Sequence, residues 1–253
     1  MVTRAEAAEV VTALDWRDEV SVLAADRIRV TAVDRLGGIT PAMIEWWFSR
    51  MDEPTYFQFH PVDHKAFAWV RGKQPGQHVG ATHLTHHCYG GQPPLLPTEI
   101  SFIPPGDLLD TSGFAACGVG AAICAVVHRL DGADQPYPEE AGRFMHLAIR
   151  RGYGTELRSC WWLAVTPDTD LDAATNRRLR HVHEEFAYLT GFLPGLYASE
   201  HAGEASAGPG GRPPASLSRG TTPGTPGPRE SLAQGDTPSA RPTSPADGPG
   251  GPG

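Results

Sequence analysis

The chain has 253 residues, a formal net charge of -8 at neutral pH and 40% hydrophobic residues. The negative charge argues against nucleic acid or an anionic membrane surface as the main partner. No apolar run approaches the roughly 18 residues that a membrane-spanning helix needs, and the N-terminal residues lack the apolar segment of a secretory signal. Four cysteines without CxxC spacing complete a pattern that predicts a reduced, cytoplasmic protein.

Residues 1–52 are predicted to be a small N-terminal helical part. Residues 3–14 show the spacing of a short amphipathic helix. Residues 39–51 carry a clearer start signal, because Thr40 is a good N-cap and Pro41 suits the first helical position. Adjacent tryptophan and phenylalanine residues in this segment indicate that the helix packs against the rest of the fold.

Residues 53–200 are predicted to form one α+β domain. Its middle consists of β-rich segments separated by turns that contain glycine or proline, without helical crossovers, which is typical of an antiparallel sheet. These segments are Phe57–Phe59, His64–Val70, Gly80–Tyr89, Glu99–Ile103, Ala121–Leu130, Arg143–Arg151 and Thr155–Val165. Residues 172–191 form the clearest helix, which Gly191 and Pro194 are expected to end. A curved sheet closed by this long C-terminal helix would enclose a cavity for a small organic ligand.

Residues 201–253 are predicted to be a disordered tail. They include no aromatic residue, and 23 of these 53 positions are glycine or proline. Such a segment cannot bury enough apolar surface to offset the entropy cost of ordering it.

Most of the histidines before this tail fall in three groups: HPVDH at 60–64, HLTHH at 83–87 and HVHEE at 181–185. His181 and Glu185 are four residues apart on the predicted helix, so they point the same way and can bind one metal ion. In the first group His64 or His60 is the candidate ligand, with Asp63 as a supporting partner.

Each group also has a simpler interpretation. HVHEE fits a solvated helix edge, HPVDH fits a polar turn set by Pro61, and HLTHH fits a half-exposed strand. His146 and Tyr56, taken alone, are more typical of core packing. Three such groups from distant parts of the chain nevertheless support a site of histidine and carboxylate ligands more strongly together than singly.

Three segments resemble, in chain order, motifs of the 2,4-diacetylphloroglucinol hydrolase family, which also includes phloretin hydrolase. They are YFQFHPVDH, GTELRSCWWL and HVHEEFAYLTGFLPGLY, and the resemblance runs from roughly Gly37 to Tyr197. It implies a Bet v 1-like helix-grip fold with an added N-terminal helical part. It also implies one divalent metal ion, typically Zn²⁺, bound by two histidines and two glutamates.

By this resemblance, His64 takes the first ligand position, and His181 with Glu185 forms the ligand pair on the helix. Tyr56 matches a tyrosine that contacts the substrate, and His146 matches a histidine near the substrate. Both are therefore expected to be catalytic, handling the ring hydroxyls or a proton. For His146 we assume an ordinary imidazole pKa near 6.5, which suits proton transfer at neutral pH.

Three positions depart from the family pattern. Where the family has a glutamate shortly before a pair of glycines, the run HHCYGG offers His87 or His86, and Glu99 is a more distant candidate. We take His87 as the fourth ligand, which makes the site less anionic; alternation along a strand places His86 on the opposite face. Trp161 replaces a tyrosine and Phe67 replaces an asparagine, so two substrate contacts become apolar.

The resemblance implies hydrolysis of the C–C bond between an acyl group and a phenolic or polyketide-like ring. In this chemistry the ring carbon accepts a proton and a metal-bound water attacks the ketone. A non-catalytic helix-grip carrier of a hydrophobic small molecule is the alternative, and a metal-dependent cyclase or decarboxylase of polyketides would use the same site. The expected partner is an acyl-phenol or polyketide-like molecule, without nucleic acid or membrane. The oligomeric state is left open, with a homodimer as one option.

Overall fold

The computed structural model describes residues 16–166 and 169–202 and, of the first fifteen residues, only Ala7 and Val11. Apart from those two positions, the helix predicted for residues 3–14 lies outside the described residues, as does the predicted tail beyond Ala202. Within the described part of the chain, no helix combines the length and the apolar character needed to cross a membrane.

Eight strands form the body of the fold: β1 Glu19–Ala24, β2 Arg27–Gly37, β3 His64–Arg71, β4 Thr82–Tyr89, β5 Gln92–Ile103, β6 Val119–Leu130, β7 Pro136–Arg151 and β8 Gly154–Ala164. They make one sheet in the order β1-β2-β8-β7-β6-β5-β4-β3. Every neighbouring pair is antiparallel. The prediction of an antiparallel sheet without helical crossovers is confirmed.

The strands β1 and β2 correct the prediction of a helical part over residues 1–52. β2 pairs with β8 along its whole length. Its residues Ile28, Val30 and Ala32 are buried and alternate with residues that are only partly buried. This period of two is the signal of a strand, so the sheet begins well before residue 53.

The helices with described bounds are α1 Pro41–Arg50, α2 Glu53–Phe59, α3 Pro105–Leu108, α4 Phe114–Cys117 and α5 Leu171–His201. α5 follows β8 and contacts both β2 and β4, which lie near opposite edges of the sheet. A sheet that touches one helix near both of its edges must curve around that helix. The predicted α+β helix-grip fold, a curved antiparallel sheet around a long C-terminal helix, is therefore confirmed.

Helix α1 begins as predicted. The Thr40 side chain accepts a hydrogen bond of 3.2 Å from the backbone N–H of Met43, and a proline occupies the first turn. This cap satisfies a backbone donor that the helix itself leaves without a partner. Trp47 is fully buried, which anchors α1 in the core between sheet and α5.

Helix α2 replaces the strand predicted over Phe57–Phe59. The side chains of Asp52 and Thr55 each accept a hydrogen bond of 3.1 Å from the backbone N–H of the other. This reciprocal cap starts a helix whatever the β-propensity of the aromatic residues that follow. The last turn of α2 buries Tyr56 and Phe59, and so places Tyr56 over the site described below.

Helix α5 is longer than predicted, because it continues through Gly191 and Pro194 to His201. A proline inside a helix costs about 3 kcal/mol relative to alanine. The final turns compensate by packing: Leu193 is fully buried, and the Tyr197 ring lies 5.1 Å from that of Trp46 on α1. Tertiary contacts thus override the local stop signal.

Candidate metal centre and substrate cavity

His64, His181 and Glu185 meet where the start of β3 approaches α5. The Glu185 oxygen Oε1 lies 3.0 Å from His64 Nε2 and 3.2 Å from His181 Nε2. One ligand-competent atom from each residue lies within 4.8 Å of the other two. His181 and Glu185 of α5 therefore lie next to His64, which precedes Glu185 by 121 residues in the sequence.

Each imidazole of this group is oriented through its other ring nitrogen. His64 Nδ1 donates to the backbone carbonyl of Tyr56 at 2.8 Å, and the two rings stack at 3.9 Å. His181 Nδ1 donates to Asp63 Oδ2 at 2.8 Å. With Nδ1 as the donor, each ring turns its Nε2 towards Glu185. Loss of an Nε2 proton would leave there the lone pair that a metal ion requires.

Asp63 is fully buried and supports His181. Its Oδ1 accepts a hydrogen bond of 2.7 Å from the backbone N–H of Gly91, which has a φ of 71°, a conformation that favours glycine. Burial alone would raise the pKa of Asp63, but hydrogen bonds from His181 and Gly91 lower it to about 2. Asp63 is therefore an ionised partner at neutral pH. We call Asp63, His64, His181 and Glu185 the carboxylate–histidine cluster.

The charges in this cluster stabilise one another. Burial would lower the pKa of His181, but the negative charge of Glu185 and the hydrogen bond to Asp63 raise it above the ordinary value. Burial would raise the pKa of Glu185, but the charge and hydrogen bond of His181 hold it well below its usual range. The cluster thus retains ionised carboxylates in a buried position, where they attract a cation.

His60, the other candidate ligand of the HPVDH group, has its ring nitrogens engaged elsewhere. Its Nδ1 accepts a hydrogen bond of 3.1 Å from the backbone N–H of Asp63, so the neutral ring carries its proton on Nε2. That Nε2 donates to Glu184 Oε2 at 3.1 Å. Although His60, Asp63 and His181 are also close enough to hold an ion, this tautomer favours His64 as the ligand.

His87 is the candidate for the fourth position that faces the cluster. It lies opposite His64 in the register of β3 and β4, and its ring centroid is 5.8 Å from that of His181. Its Nε2 is buried and has no hydrogen-bond partner among the described residues. A donor set of three imidazoles and one carboxylate fits a zinc-type divalent ion, which would also satisfy this nitrogen.

The other two candidates for that position turn away. His86 lies on the opposite face of β4, as alternation predicted, and its ring contacts Asp134 Oδ1 at 3.1 Å. Glu99 pairs with Leu84, which shares the face of His86, and its carboxylate forms an ion pair with Arg71. Neither side chain points to the carboxylate–histidine cluster.

A cavity of about 100 Å³ opens beside this cluster, between sheet and α5. His64, His87, His181 and Glu185 line one part of it. Its remaining wall is mostly aromatic and includes two further histidines. We call this part, lined by Phe48, His83, Phe102, Phe144, His146 and Trp161, the aromatic chamber.

His146 lies in the aromatic chamber on β7. Its ring is 5.4 Å from that of Trp161 and 5.9 Å from that of Phe48. Its Nδ1 is 2.8 Å from Ser159 Oγ, which lies directly opposite in the register of β7 and β8. Burial lowers the pKa of His146 to about 4, so our premise of an ordinary pKa is wrong and the ring is neutral at pH 7.

The model of the DAPG hydrolase PhiG domain, in which DAPG is 2,4-diacetylphloroglucinol, matches residues 23–198. The chain belongs to the DAPG hydrolase family. The resemblance based on three motifs is confirmed, and the matching region begins earlier than Gly37, inside β1.

No curated protein is similar enough to match the chain. Among solved structures, Ara h 8.0201 is 12% identical with a TM-score of 0.42, over 66% of this chain and 99% of its own. A Rhodobacter sphaeroides protein is 14% identical with a TM-score of 0.41, over 71% of this chain and 100% of its own. The Panax ginseng major latex-like protein 151 is 9% identical with a TM-score of 0.42, over 64% and 97%.

Trp161 and Phe67, the two positions where an apolar side chain replaces an expected polar substrate contact, lie differently relative to the cavity. Trp161 lines the cavity. Phe67 is not part of the cavity wall; it packs behind it, with its ring 4.8 Å from that of Tyr56 and 4.9 Å from that of His83. Of the two predicted substrate contacts, the structure therefore brings only Trp161 to the cavity.

Tyr56 lines the cavity, and its hydroxyl is hydrogen-bonded to the Thr85 hydroxyl. Burial raises the pKa of this phenol, so Tyr56 stays neutral and can act as a hydrogen-bond donor or acceptor but not as an anion. Its ring also covers His64. Tyr56 thus connects the cluster to the aromatic chamber.

Two polar residues, one bonded to His146 and one in the cavity wall, escaped the sequence analysis. Ser159 lies within the GTELRSCWWL motif, and the tight turn between β7 and β8 was the signal that could have paired it with His146. Arg178 lies one turn before His181 on α5 and lines the cavity, with its guanidinium 5.3 Å from the centre of the Tyr89 ring. Its spacing from His181 was visible in the sequence.

Proposed function

We propose that the protein is a metal-dependent hydrolase that cleaves the C–C bond between an acyl group and a phenolic or polyketide-like ring. The observation that carries this proposal is the convergence of His64, His181 and Glu185 beside a cavity with an aromatic wall. Membership of the DAPG hydrolase family supports the reaction class.

In this proposal His64, His87, His181 and Glu185 hold one divalent ion, with Zn²⁺ expected from the donor set. When bound, such an ion supplies Lewis-acid polarisation of a carbonyl and activation of water. The protein residues prepare the site for it. Asp63 fixes the ring of His181, and the Tyr56 carbonyl fixes that of His64, which limits the reorganisation needed on binding.

The reaction places a hydrogen on the ring carbon and a hydroxyl on the acyl carbon. An aromatic ring cannot leave as a bare carbanion, so the acyl-bearing carbon is first protonated, which transiently converts the phenol to a ketone. When the C–C bond breaks, its electron pair leaves with the ring as a phenolate, which takes up the proton that the attacking water gives up. In our proposal neutral His146 accepts the proton of a phenolic hydroxyl and returns it to the adjacent ring carbon. With a pKa of about 4 the imidazole is a weak base for the phenolic proton, and the imidazolium that it forms returns that proton readily to the ring carbon.

The rest of the cavity would bind and orient the substrate. Phe48, Phe144 and Trp161 surround His146, and flat apolar walls of this kind bind an aromatic ring while excluding water. The Ser159 hydroxyl contacts His146 Nδ1, and Tyr56 brings a hydroxyl to the cavity wall. Trp161 in place of the family tyrosine removes one polar contact, so the substrate of this chain is expected to differ from 2,4-diacetylphloroglucinol.

The second candidate function is a non-catalytic carrier of a hydrophobic molecule, and the same aromatic wall is the observation that favours it. The two candidates differ in metal content. Protein purified without chelator should contain about one divalent ion per chain by mass spectrometry. It should also release a carboxylic acid and a deacylated ring from at least one member of a panel of acyl-phenols.

Glu185→Gln is the test variant, because it keeps the size of a proposed ligand and removes its charge. It should lose metal and turnover together. If the wild-type protein holds no stoichiometric metal and binds acyl-phenols without converting them, it is a carrier and not a hydrolase. Metal-loaded protein that converts polyketide-like compounds without adding water would point to a cyclase or decarboxylase.

A further inference from the structure

His83 is a buried side chain of the aromatic chamber that the proposed mechanism does not use. It lies on β4, lines the cavity and is only 2% exposed. Neither of its ring nitrogens has a hydrogen-bond partner among the described residues. It thus differs from the cluster histidines and from His146, each of which has a polar partner for at least one ring nitrogen.

The surroundings of His83 are aromatic. Its ring centroid is 4.9 Å from that of Phe67, 5.3 Å from that of Trp69 and 5.4 Å from that of Phe102. A neutral imidazole offers one N–H donor and one nitrogen acceptor. Burying both without partners is unfavourable, and a phenylalanine would fill the same space without that cost. A polar group that enters the cavity would supply the missing partners.

A second unpartnered polar atom lies close by in the sheet. Thr98 lines the cavity, and its hydroxyl is buried without a hydrogen-bond partner among the described residues. Thr98 lies opposite Thr85 in the register of β4 and β5, and His83 lies opposite Ile100. His83 and Thr98 are therefore diagonal neighbours on one face, a distance that side chains can span.

The position of this pair relative to the cluster suggests which part of a ligand it meets. His83 and His87 are four residues apart on one extended strand, which corresponds to roughly 13 Å. The Tyr56 ring lies between, with its centroid 3.9 Å from that of His64 and 6.1 Å from that of His83. A ligand whose carbonyl is at the cluster would therefore present the far side of its ring to His83.

We propose that His83 and Thr98 form a polar subsite that recognises a hydroxyl group on the substrate ring, remote from the carbonyl that is cleaved. The ligand class is a para-hydroxylated aryl ketone. A phenolic hydroxyl both donates and accepts a hydrogen bond, and so matches a neutral imidazole. The orientation of the ketone rests on the proposed function, whereas the recognition of a hydroxyl by His83 does not.

The test measures binding rather than turnover. Dissociation constants of acetophenone and 4-hydroxyacetophenone are determined by calorimetry on the full chain, with and without chelator. His83→Phe should weaken binding of the hydroxylated ketone about tenfold and leave acetophenone within about twofold, because one neutral hydrogen bond is lost. His83→Gln, which keeps a donor and an acceptor, should restore part of the difference.

The matched control is His78→Phe. His78 is a buried histidine that also contacts Phe102, at 5.3 Å, but it is not part of the cavity wall. Its replacement should leave the ratio of the two dissociation constants unchanged. If His83→Phe does not fold, Thr98→Val tests the same subsite with almost no change of shape, and should weaken only the hydroxylated ketone.

Equal weakening of both ketones, or no change in either, would overturn the subsite and leave His83 as a packing residue. An equal effect of His78→Phe would overturn it too. A protein that discriminates the two ketones through His83 but holds no metal and hydrolyses nothing would retain the subsite while ending the hydrolase proposal. Hydrolysis of acyl-phenols without such discrimination would retain the hydrolase proposal and end the subsite.

Discussion

The carboxylate–histidine cluster and the aromatic chamber both contain buried histidines, yet their electrostatics are opposite. In the cluster, Asp63 and Glu185 raise the pKa of His181 in spite of its burial. In the chamber, burial outweighs the charge of Glu185 and lowers the pKa of His146 to about 4, and burial also lowers that of His83 to about 3. The partner of an imidazole, and not its burial alone, decides which protonation state the fold favours.

This difference divides the cavity into two chemical environments. The cluster concentrates negative charge and oriented lone pairs, which suits a cation. The chamber holds neutral rings that can exchange hydrogen bonds, which suits an uncharged aromatic ligand. A substrate that spans both would place its polar carbonyl at the first and its ring in the second.

The largest expected effect comes from removing a ligand of the cluster. His181→Ala should lose the metal ion and at least about 10³-fold in kcat/KM, because Lewis-acid stabilisation is worth several kcal/mol. Metal per chain and initial rates are measured on the same sample. His183→Ala is the control on the same helix, since its ring instead contacts Asp18 and Asp34, and it should keep the metal. Full metal retention by His181→Ala would remove that residue from the centre.

The next effect separates the chamber from the cluster. His146→Ala should lower turnover about 10²–10⁴-fold, the usual contribution of a general acid or base, while metal content stays near one ion per chain. His128→Ala is a control outside the cavity, where the ring hydrogen-bonds to the Tyr137 carbonyl. Wild-type turnover by His146→Ala would end its catalytic assignment. Simultaneous loss of metal would place His146 in the metal centre.

A smaller effect tests the support of the cluster. Asp63→Asn should weaken metal affinity about 10–100-fold, because partners that orient metal-bound histidines typically contribute that much. Metal affinity is measured by competition with a chelator of known strength. Glu184→Gln changes an exposed carboxylate that contacts the buried His60 and should have little effect. Equal losses in the two variants would mean that general negative charge, and not orientation of His181, is what Asp63 contributes.

The smallest expected effect tests how carboxylate partners change the pKa of a histidine that is not deeply buried. A hydrogen bond to Asp34, together with the charges of Asp34 and Asp18, raises the pKa of the partly exposed His183 to about 9. Since the folded pKa exceeds the unfolded value, this stabilisation is complete below about pH 6.5 and is lost as pH rises through about 9.

Thermal unfolding of wild-type and His183→Gln protein from pH 6 to pH 10 measures this contribution. Solvent screening limits it to about 1 kcal/mol, or roughly 2–4 °C in Tm. The difference in Tm should shrink with rising pH. A difference that is constant across this range would assign the effect of His183 to packing.

The sequence by itself determined the elements whose signals are local. The N-cap and proline at Thr40 and Pro41 placed α1, alternation predicted the strands from β3 to β8, and the spacing of His181 and Glu185 placed two candidate ligands on one helix face. Such patterns are read within a few residues, because strands and helices repeat their side-chain directions over two to four positions. The motifs also identified the family.

The tertiary structure decided what depends on distant partners. Pro194 does not end α5, because Leu193 is buried in the core and the Tyr197 ring packs against that of Trp46. Asp63 and His181 are 118 residues apart in sequence, and no local pattern shows that they share a hydrogen bond. The charge state of each histidine follows from such contacts. Burial and partner are set by the packing of α5 on the curved sheet, so that only the fold separates a histidine held beside carboxylates from one buried among aromatic rings.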